Sequence, residues 1–397
     1  SGKTLAFALP ILSKLTSDYG AHALLLYPMK ALSNDQRVQF NQLAKAFREQ
    51  EPVECWTYDG DTPQDYRKAF RETPLPIYIT TPEMLNASFL GQSDKWESFL
   101  AGLKYIVIDE IHEYRGFFGG NLGLLLRRFF HKLQQYGADP KVFCATATCG
   151  NPLEHAELLT GKPFTLVRAS SQMTPKRNFA FIRPNIPNYR FMDHYRKRIS
   201  RAALACLSQG LSTIVFCPSR SFTEEVYKEA VKESSVFKLN PGQIAPYRSG
   251  YGPDERRTIE EGLKDGRYRV VFATNALELG IDIGRLDGVI LAGFPDSLMS
   301  AWQRIGRAGR SWDKEAFVLY YAMNNAYDAF YAANIDTFLD RSIEGITASV
   351  NNEELIARHT PYLLHESAWH LDETAKDILG EGLFQAAVHI TQTQKPG

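Results

Sequence analysis

Two short motifs carry residues that could bind and hydrolyse a nucleotide. The chain opens with Ser1-Gly2-Lys3-Thr4, which leads into an apolar, helix-like segment. In a phosphate-binding loop the glycine lets the backbone approach the phosphates, the lysine reaches the β and γ oxygens, and the hydroxyl holds Mg²⁺. Four residues recur by chance, so this motif indicates ATP and Mg²⁺ only in company with a second one.

The second motif is acidic. An apolar run at 104–108 ends in the adjacent carboxylates Asp109 and Glu110. At the end of a strand they would lie at the carboxyl edge of a sheet, where α/β folds bind ligands. There Asp109 is placed to hold Mg²⁺ through water, and Glu110 to orient and deprotonate the attacking water. An isolated Asp-Glu pair is usually a solvated turn, but the phosphate loop upstream favours the catalytic interpretation.

A third motif is basic. In AWQRIGRAGR (301–310), Arg304, Arg307 and Arg310 recur every third residue after Gln303. Such spacing puts them on one side of a turn or helix, from which they could converge on a γ-phosphate. A solvated basic helix or a patch that binds a nucleic-acid backbone is the alternative.

The elements that must position these motifs are strands alternating with helices. Apolar runs predict one series of strands at 23–28, 53–58, 76–80, 105–109 and 141–146, and a second at 213–217, 243–247, 269–274, 288–293 and 316–321. The clearest helical pattern lies at 121–137. This alternation predicts an α/β fold with parallel sheets covered on both faces.

The patterns divide the chain into four segments. Residues 1–168 and 191–345 form two α/β domains, and 169–190, with its prolines and basic residues, is predicted to be a linker. Residues 346–397 resemble the start of a helical or winged-helix-like accessory domain. Because the chain begins inside a motif and ends directly after a helical pattern, we expect it to be part of a longer one.

Composition excludes several classes of protein. Forty-five basic and forty-five acidic residues give a formal charge of zero, so any site for a polyanion must be local. The five cysteines contain no C-x-x-C pair, which disfavours a disulfide framework and a structural zinc site and favours a reducing, intracellular compartment. Apolar runs fall short of the roughly 18 residues of a membrane span, so no membrane partner is expected.

Eight motifs in order resemble those of superfamily 2 helicases with a DEAH-like motif II. They are SGKT, PMKALSNDQ (28–36), TTPEML (80–85), DEIH (109–112), TAT (146–148), IVFCPSR (214–220), ATNALELGIDIG (273–284) and QRIGRAGR (303–310). YDGDTP (58–63), YRGFFG (114–119) and YRSGYGPDERR (247–257) resemble more closely the bacterial mitomycin-repair-factor helicases and their fungal RecQ-four-like relatives. The resemblance covers residues 1 to about 345.

The resemblance implies two tandem RecA-like domains and an ATP-dependent helicase. It further implies 3′ to 5′ movement on DNA with a single-stranded tail, in DNA repair. The compartment would be the bacterial cytoplasm, at the nucleoid, or the eukaryotic nucleus, and no protein partner is indicated. An RNA helicase or ribonucleoprotein remodeller, and a clamp that binds ATP without turnover, stay as alternatives.

The resemblance also assigns residues. Gly2, Lys3, Thr4, Asp109 and Asp282 would serve the nucleotide, with Thr4 and Asp109 on Mg²⁺; Gln303, Arg307 and Arg310 would meet the γ-phosphate; and His112, Thr146 and Thr148 would couple hydrolysis to motion. The strand-binding set would be Pro28, Lys30, Thr81, Arg220, Arg248, Thr274 and Asn275. Such backbone contacts are salt-dependent and nearly blind to sequence. A further basic cluster could extend the nucleic-acid groove, but a solvated linker and helix face is the preferred interpretation of it. Its members are Lys176, Arg177, Arg183, Arg190, Arg196, Lys197, Arg198 and Arg201.

Overall fold

The protein consists of two compact units, Ser1–Val167 with Gly345–Gly397, and Arg168–Glu344. The structure, a computed structural model, describes the whole chain except residues 1–2, 48–52, 147–148, 169–175, 184–190, 249, 279–283, 285, 310–314, 341–342 and 394–397 and the side chains of Ala31 and Pro253. No helix in the described ranges combines the length and the apolarity needed to cross a membrane.

The first unit is built on a parallel sheet. Its strands are β1 (His22–Leu26), β2 (Cys55–Thr57), β3 (Ile77–Thr80), β4 (Leu103–Ile108) and β5 (Lys141–Cys144), in the order β2-β3-β1-β4-β5. Its helices before the tail are α1 (Lys3–Ser17), α2 (Lys30–Phe47), α3 (Gln64–Glu72), α4 (Pro82–Met84), α5 (Glu97–Ala101), α6 (Gly116–Gln135) and α7 (Pro152–Thr160). Short 3₁₀ or π turns lie at Leu85–Leu90, Ser93–Trp96 and Ile111–Glu113.

Both faces of this sheet are buried. Along β1, Leu24 and Leu26 pack into one hydrophobic core, and Ala23 and Leu25 pack into another on the opposite face. Because successive strand residues point to opposite faces, a strand covered on both sides must be apolar at nearly every position. This explains why continuous apolar runs predict the strands of this sheet.

The second unit holds a second parallel sheet. Its strands are β6 (Arg177–Ile182), β7 (Thr213–Phe216), β8 (Ile244–Tyr247), β9 (Val270–Ala273), β10 (Gly288–Ala292) and β11 (Ala316–Tyr321), in the order β6-β11-β10-β7-β9-β8. Its helices are α8 (Phe191–Ser208), α9 (Arg220–Ser234), α10 (Pro253–Lys264), α11 (Leu298–Ile305), α12 (Ala326–Ala333) and α13 (Ile335–Leu339), with 3₁₀ turns at Pro241–Gln243 and Asn275–Leu277. The prediction of two parallel α/β sheets is confirmed.

One strand lies inside the predicted linker. Within 169–190, β6 pairs with the whole of β11, from Arg177 opposite Ala316 to Ile182 opposite Tyr321. β6 is an edge strand, and its burial alternates, so it lacks the continuous apolar run of the central strands. Neighbouring prolines and basic residues obscure this alternation in the sequence.

The tail packs on the first unit. Its helices α14 (Glu353–Glu366), α15 (Ala375–Leu379) and α16 (Glu381–Thr393) share a hydrophobic core with Leu124 of α6. The chain leading to them passes very close to α6, since a Cβ on Gly120 would lie 2.4 Å from the carbonyl oxygen of Ser349. A side chain at position 120 would therefore separate the tail from α6.

A buried polar network fastens the tail to α6. The Arg128 guanidinium, 2% exposed, donates from Nε to Glu366 Oε2 at 3.0 Å and from Nη2 to Glu366 Oε1. Its Nη1 lies 3.0 Å from His359 Nδ1, and His359 Nε2 lies 3.0 Å from Asn121 Oδ1. Burial, and secondarily the nearby Arg128 charge, lower the pKa of His359 to about 4.

Acid is expected to weaken this attachment through His359. Between pH 6.5 and about 4 the unfolded chain protonates this imidazole while the folded chain does not. The free energy of unfolding therefore decreases as the pH is lowered through that window. The loss of stability is at most about 1.4 kcal/mol for each pH unit within this window, and there is no loss above pH 6.5. Thermal unfolding of the wild type and His359→Asn over this range measures it. Equal acid sensitivity of the two proteins would show that His359 does not contribute.

Candidate nucleotide and nucleic-acid site

The first unit brings the phosphate loop and the acidic motif together. Lys3 begins α1, and Glu110 follows β4 at the carboxyl edge of the sheet. Lys3 Nζ lies 3.1 Å from Glu110 Oε1, although 107 positions separate the residues. Thr4 Oγ1 donates to Gln36 Oε1 at 3.4 Å. A lysine, a hydroxyl and an acid thus meet at a helix N-terminus, where backbone N–H groups favour anions; Gly2 lies outside the described residues.

Asp109 is buried beside them. It is 4% exposed, its amide donates to Leu26 O at 3.0 Å, and its Oδ1 accepts from the Glu110 amide at 2.8 Å. Burial, and after it the neighbouring Glu110 carboxylate, raise the pKa of the Asp109 carboxyl to about 6. The site therefore disfavours the negative charge of this carboxylate, and a nearby cation would stabilise it.

These residues fit Mg²⁺. Carboxylate and hydroxyl oxygens are the ligands this ion prefers, and it usually keeps several waters beside one or two carboxylates and the substrate phosphates. Asp109 and Thr4 supply such oxygens, while the Lys3 ammonium is directed to Glu110. A divalent cation would stabilise the buried Asp109 carboxylate, and the oxygens of Asp109 and Thr4 are suitable ligands for it. Both observations agree with Mg²⁺ held together with a triphosphate.

The backbone at Glu110 is strained. Its φ of 50° and ψ of 48° are left-handed, a conformation that residues with a side chain adopt uncommonly, at a cost of order 1–3 kcal/mol. The chain turns here directly after β4, and the Glu110 carboxylate lies between Lys3 and His112. Strain of this kind clusters at functional sites, where surrounding contacts hold it.

His112 connects two predicted motifs. The ring is 1% exposed; Nδ1 lies 3.3 Å from Glu110 Oε2 and 3.0 Å from Thr146 Oγ1, and Nε2 lies 3.2 Å from Glu113 Oε1. A change at the Glu110 carboxylate can therefore reach the loop after β5 through one imidazole. Thr148, the third residue of the coupling set, lies outside the described residues.

The strand-binding candidates of the first unit follow neighbouring strands. Pro28 and Lys30 come after β1, and Thr81, 4% exposed, comes after β3, so all three lie at one edge of the sheet. Lys30 Nζ is paired with Asp61 Oδ1 at 2.8 Å on the exposed surface. A nucleic-acid phosphate would compete with Asp61 for this lysine.

The second unit places its candidates in the same way. Arg220 begins α9 after β7, Arg248 follows β8, and Thr274 and Asn275 follow β9. A Cβ on Gly250 would lie 3.4 Å from Arg248 Nη1 and 4.0 Å from Arg220 Nη1, so both guanidinium groups approach this glycine. Two guanidinium groups that approach the same glycine could bind neighbouring phosphates of a nucleic-acid strand.

The arginine motif lies on α11 and the turn after it. Arg304 is 7% exposed and pairs through Nε with Glu278 Oε2 at 2.9 Å; Arg307, equally buried, donates from Nη2 to Glu278 O at 2.5 Å. Gln303 is half-buried on the same helix. Arg304 thus holds the local fold, and Arg310 and Asp282 lie outside the described residues.

Sequence reasoning missed three residues that orient the candidates. Glu278 holds Arg304 and Arg307, Gln36 accepts from Thr4, and Glu224 Oε1 accepts from Arg248 Nε at 2.6 Å. Glu278 and Gln36 lie inside quoted motifs. For Glu278, a charged residue between two leucines was the available signal. Gln36, among polar neighbours, and Glu224, on an exposed helix pattern, carry no such signal.

Two family models match the chain, one in each unit. The family described as DEAD/DEAH box helicase matches residues 1–156, and the helicase conserved C-terminal domain matches residues 196–311. An uncharacterized ATP-dependent helicase of Bacillus subtilis, YprA, is 36% identical over 375 residues, which are 94% of this chain and 49% of YprA. ATP-dependent helicase hrq1 of Schizosaccharomyces pombe is 31% identical, over 92% of this chain and 35% of hrq1.

A solved structure extends the similarity to the whole fold. The crystal structure of the DUF1998 helicase MrfA bound to DNA and AMPPNP matches with a TM-score of 0.89 and 35% identity, over 99% of this chain and 54% of MrfA. The predicted tandem RecA-like fold is confirmed. The chain spans about half the length, or less, of the relatives it matches. On its motifs, fold and relatives, the chain belongs to the superfamily 2 DEAD/DEAH-box helicases of the MrfA and Hrq1 type.

Proposed function

We propose that this chain forms the motor of an ATP-dependent DNA helicase. The observation that carries the proposal is the contact of Lys3 with Glu110 beside the buried Asp109, with His112 joining Glu110 to Thr146. Lys3 would bind the β- and γ-phosphates, Asp109 and Thr4 would hold Mg²⁺, and Glu110 would take a proton from the attacking water. The ion would neutralise charge that develops on the phosphate oxygens.

The second unit would supply the charges that favour the triphosphate state. We assign Gln303, Arg307 and Arg310 to the γ-phosphate and Asp282 to the same nucleotide. The order of these residues in the helicase motifs supports the assignment. A contact that exists only with the γ-phosphate would be lost on hydrolysis, and repeated loss and recovery on a bound strand would move the protein along it. We also propose 3′ to 5′ movement and a role in repair, which the resemblance to the mitomycin-repair-factor helicases implies.

The nucleic acid would be held by its backbone. The proposed backbone contacts of the first unit are Pro28, Lys30 and Thr81. Those of the second unit are Arg220, Arg248, Thr274 and Asn275. The MrfA structure, which contains DNA, supports DNA over RNA. ATP turnover of the full-length protein with single-stranded DNA and with RNA of the same sequence tests this. Stronger stimulation by RNA would favour an RNA helicase, and DNA binding without phosphate release a clamp.

Replacing Arg248 by glutamine is expected to weaken binding to all DNA sequences about equally. Loss of one phosphate contact should also make the salt dependence of the association constant shallower, by about 0.7 in the log-log slope for a single strand. Arg257→Gln is the matched control, because Arg257 is an exposed arginine of α10 that pairs with Asp254 at 3.1 Å. Anisotropy titrations over a salt series measure both variants; an unchanged slope in Arg248→Gln would remove this residue from the strand-binding set.

A further inference from the structure

The helix α8 carries a basic stripe beside its buried stripe. Tyr195, Ile199 and Ala203 are fully buried against the second sheet. His194, Lys197, Arg198 and Arg201 recur at i, i+3, i+4 and i+7, so they share one face of the helix, and all four are exposed. These four positions of the face are all basic.

This stripe lines a cavity. The four residues, with Ala202 of the same helix, Ile182 of β6 and Tyr321 of β11, line a cavity of about 530 Å³ that is open to solvent. The walls thus combine three side chains with full positive charge, one imidazole, one alanine and two residues at strand ends. We call this the α8 cavity.

Its positive charge is only partly balanced. Glu233 of α9 accepts from Arg201 at 3.0 Å and lies 3.6 Å from Lys197 Nζ. The side chains of Arg198 and His194 form no hydrogen bond or ion pair with the described part of the chain. Glu233 holds Arg201 in place, and the remaining excess of positive charge suits an anion.

Strand register places the α8 cavity on the edge that carries the strand-binding candidates. Ile182 pairs with Tyr321, and Tyr321 pairs with Ala292 of β10. Leu291 of β10 pairs with Phe216 of β7, which pairs with Ala273 of β9. One residue further along each strand, Thr274 therefore lies in the same row of the sheet as Ala292 and Tyr321. Three strand spacings separate Tyr321 from Thr274, roughly 14 Å. A few nucleotides of an extended single strand span that distance.

We propose that the α8 cavity binds the sugar-phosphate backbone of the strand held by Arg220, Arg248, Thr274 and Asn275. This rests on the proposed nucleic-acid function. Lys197, Arg198 and Arg201 contact phosphates, and the site extends the path of the strand beyond the helicase motifs. Because these contacts are to phosphates, they carry no sequence information directly. The proposal takes up the alternative that the basic residues of this face extend the nucleic-acid groove, in place of a merely solvated surface.

The test compares two double variants of the full-length protein with equal loss of charge. Lys197→Gln/Arg198→Gln removes two cations of the cavity, and Lys228→Gln/Lys232→Gln removes two exposed lysines of α9 outside it. Fluorescence anisotropy measures the binding of two single-stranded oligonucleotides. The short one reaches only the strand-binding candidates of the helicase motifs, and the longer one also reaches the α8 cavity. For the longer oligonucleotide, the cavity variant should bind several-fold more weakly and lose about 1.4 from its log-log salt slope, since two contacts disappear. The control variant should match the wild type.

Each other outcome overturns a specific statement. If the cavity variant equals the control on the longer oligonucleotide, or loses as much affinity for the short one, the cavity is not an extension of the strand path. If inorganic phosphate raises the thermal midpoint of the wild type more than that of the cavity variant, while the two bind the longer oligonucleotide equally, the cavity takes a free anion and the proposal is wrong. If the wild type binds neither oligonucleotide, the proposed function itself fails. Thermal midpoints check that both variants fold.

Discussion

Glutamine in place of Glu110 is expected to lower DNA-stimulated ATP turnover by about 10²- to 10⁴-fold, the usual contribution of a general base. In the wild type, Glu110 Oε1 lies 3.1 Å from Lys3 Nζ. The glutamine amide has the same size and reach, but it cannot accept the proton of the attacking water. Binding of ATP and DNA should persist, because Asp109, Thr4 and the strand-binding set are unaltered. The loss should therefore appear in kcat.

A matched control lies three residues away. Glu113 contacts the other nitrogen of the same imidazole, His112 Nε2, at 3.2 Å, but the Lys3 contact belongs to Glu110. Glu113→Gln should consequently retain turnover within about tenfold of wild type. Phosphate release under saturating ATP and DNA compares the two. Turnover near the wild-type rate in Glu110→Gln would show that another group activates the water, and an equal collapse in both variants would indicate damage to the turn.

The sequence predicts strand ends well where strands are buried on both faces. The apolar run before Asp109 predicts a strand, and β4 ends at Ile108, so the acidic pair falls at the sheet edge as expected. The edge strand β6 escapes the same argument, because one side of it faces solvent and its burial alternates. Helix α6 begins at Gly116, earlier than the pattern at 121–137, because glycines and exposed phenylalanines in its first turns lack an apolar stripe.

Long-range pairing is the part that local patterns cannot supply. Arg128 in the sequence is one of two arginines on an amphipathic helix, and nothing nearby marks it as buried. Its partner Glu366 lies 238 positions later, at the end of α14. The helicase resemblance gave His112 and Thr146 coupling roles, but neither the resemblance nor the spacing predicted that their side chains lie 3.0 Å apart. Periodicity reports which face of an element is buried, but it is silent on which element covers it.

The Arg128–Glu366 pair is expected to have the largest effect on stability. Arg128 is 2% and the Glu366 side chain 8% exposed, so removal of either charge leaves the other buried without a counter-ion. Breaking such a pair costs about 3–5 kcal/mol. Glu366→Gln and Arg128→Met should each loosen the tail, with faster hydrogen exchange in α14 and a lower thermal midpoint of the first unit.

The double variant separates charge from packing. Arg128→Met/Glu366→Leu removes both charges and keeps comparable volume, and apolar replacement of a complete buried pair is often neutral or stabilising. We therefore expect its thermal midpoint and its α14 exchange to return close to wild type, although His359 loses one polar neighbour. If the double variant is as unstable as the sum of the single ones, the singles act through lost packing and not through an unpaired charge. If neither single variant changes α14 exchange, the network does not hold the tail on α6.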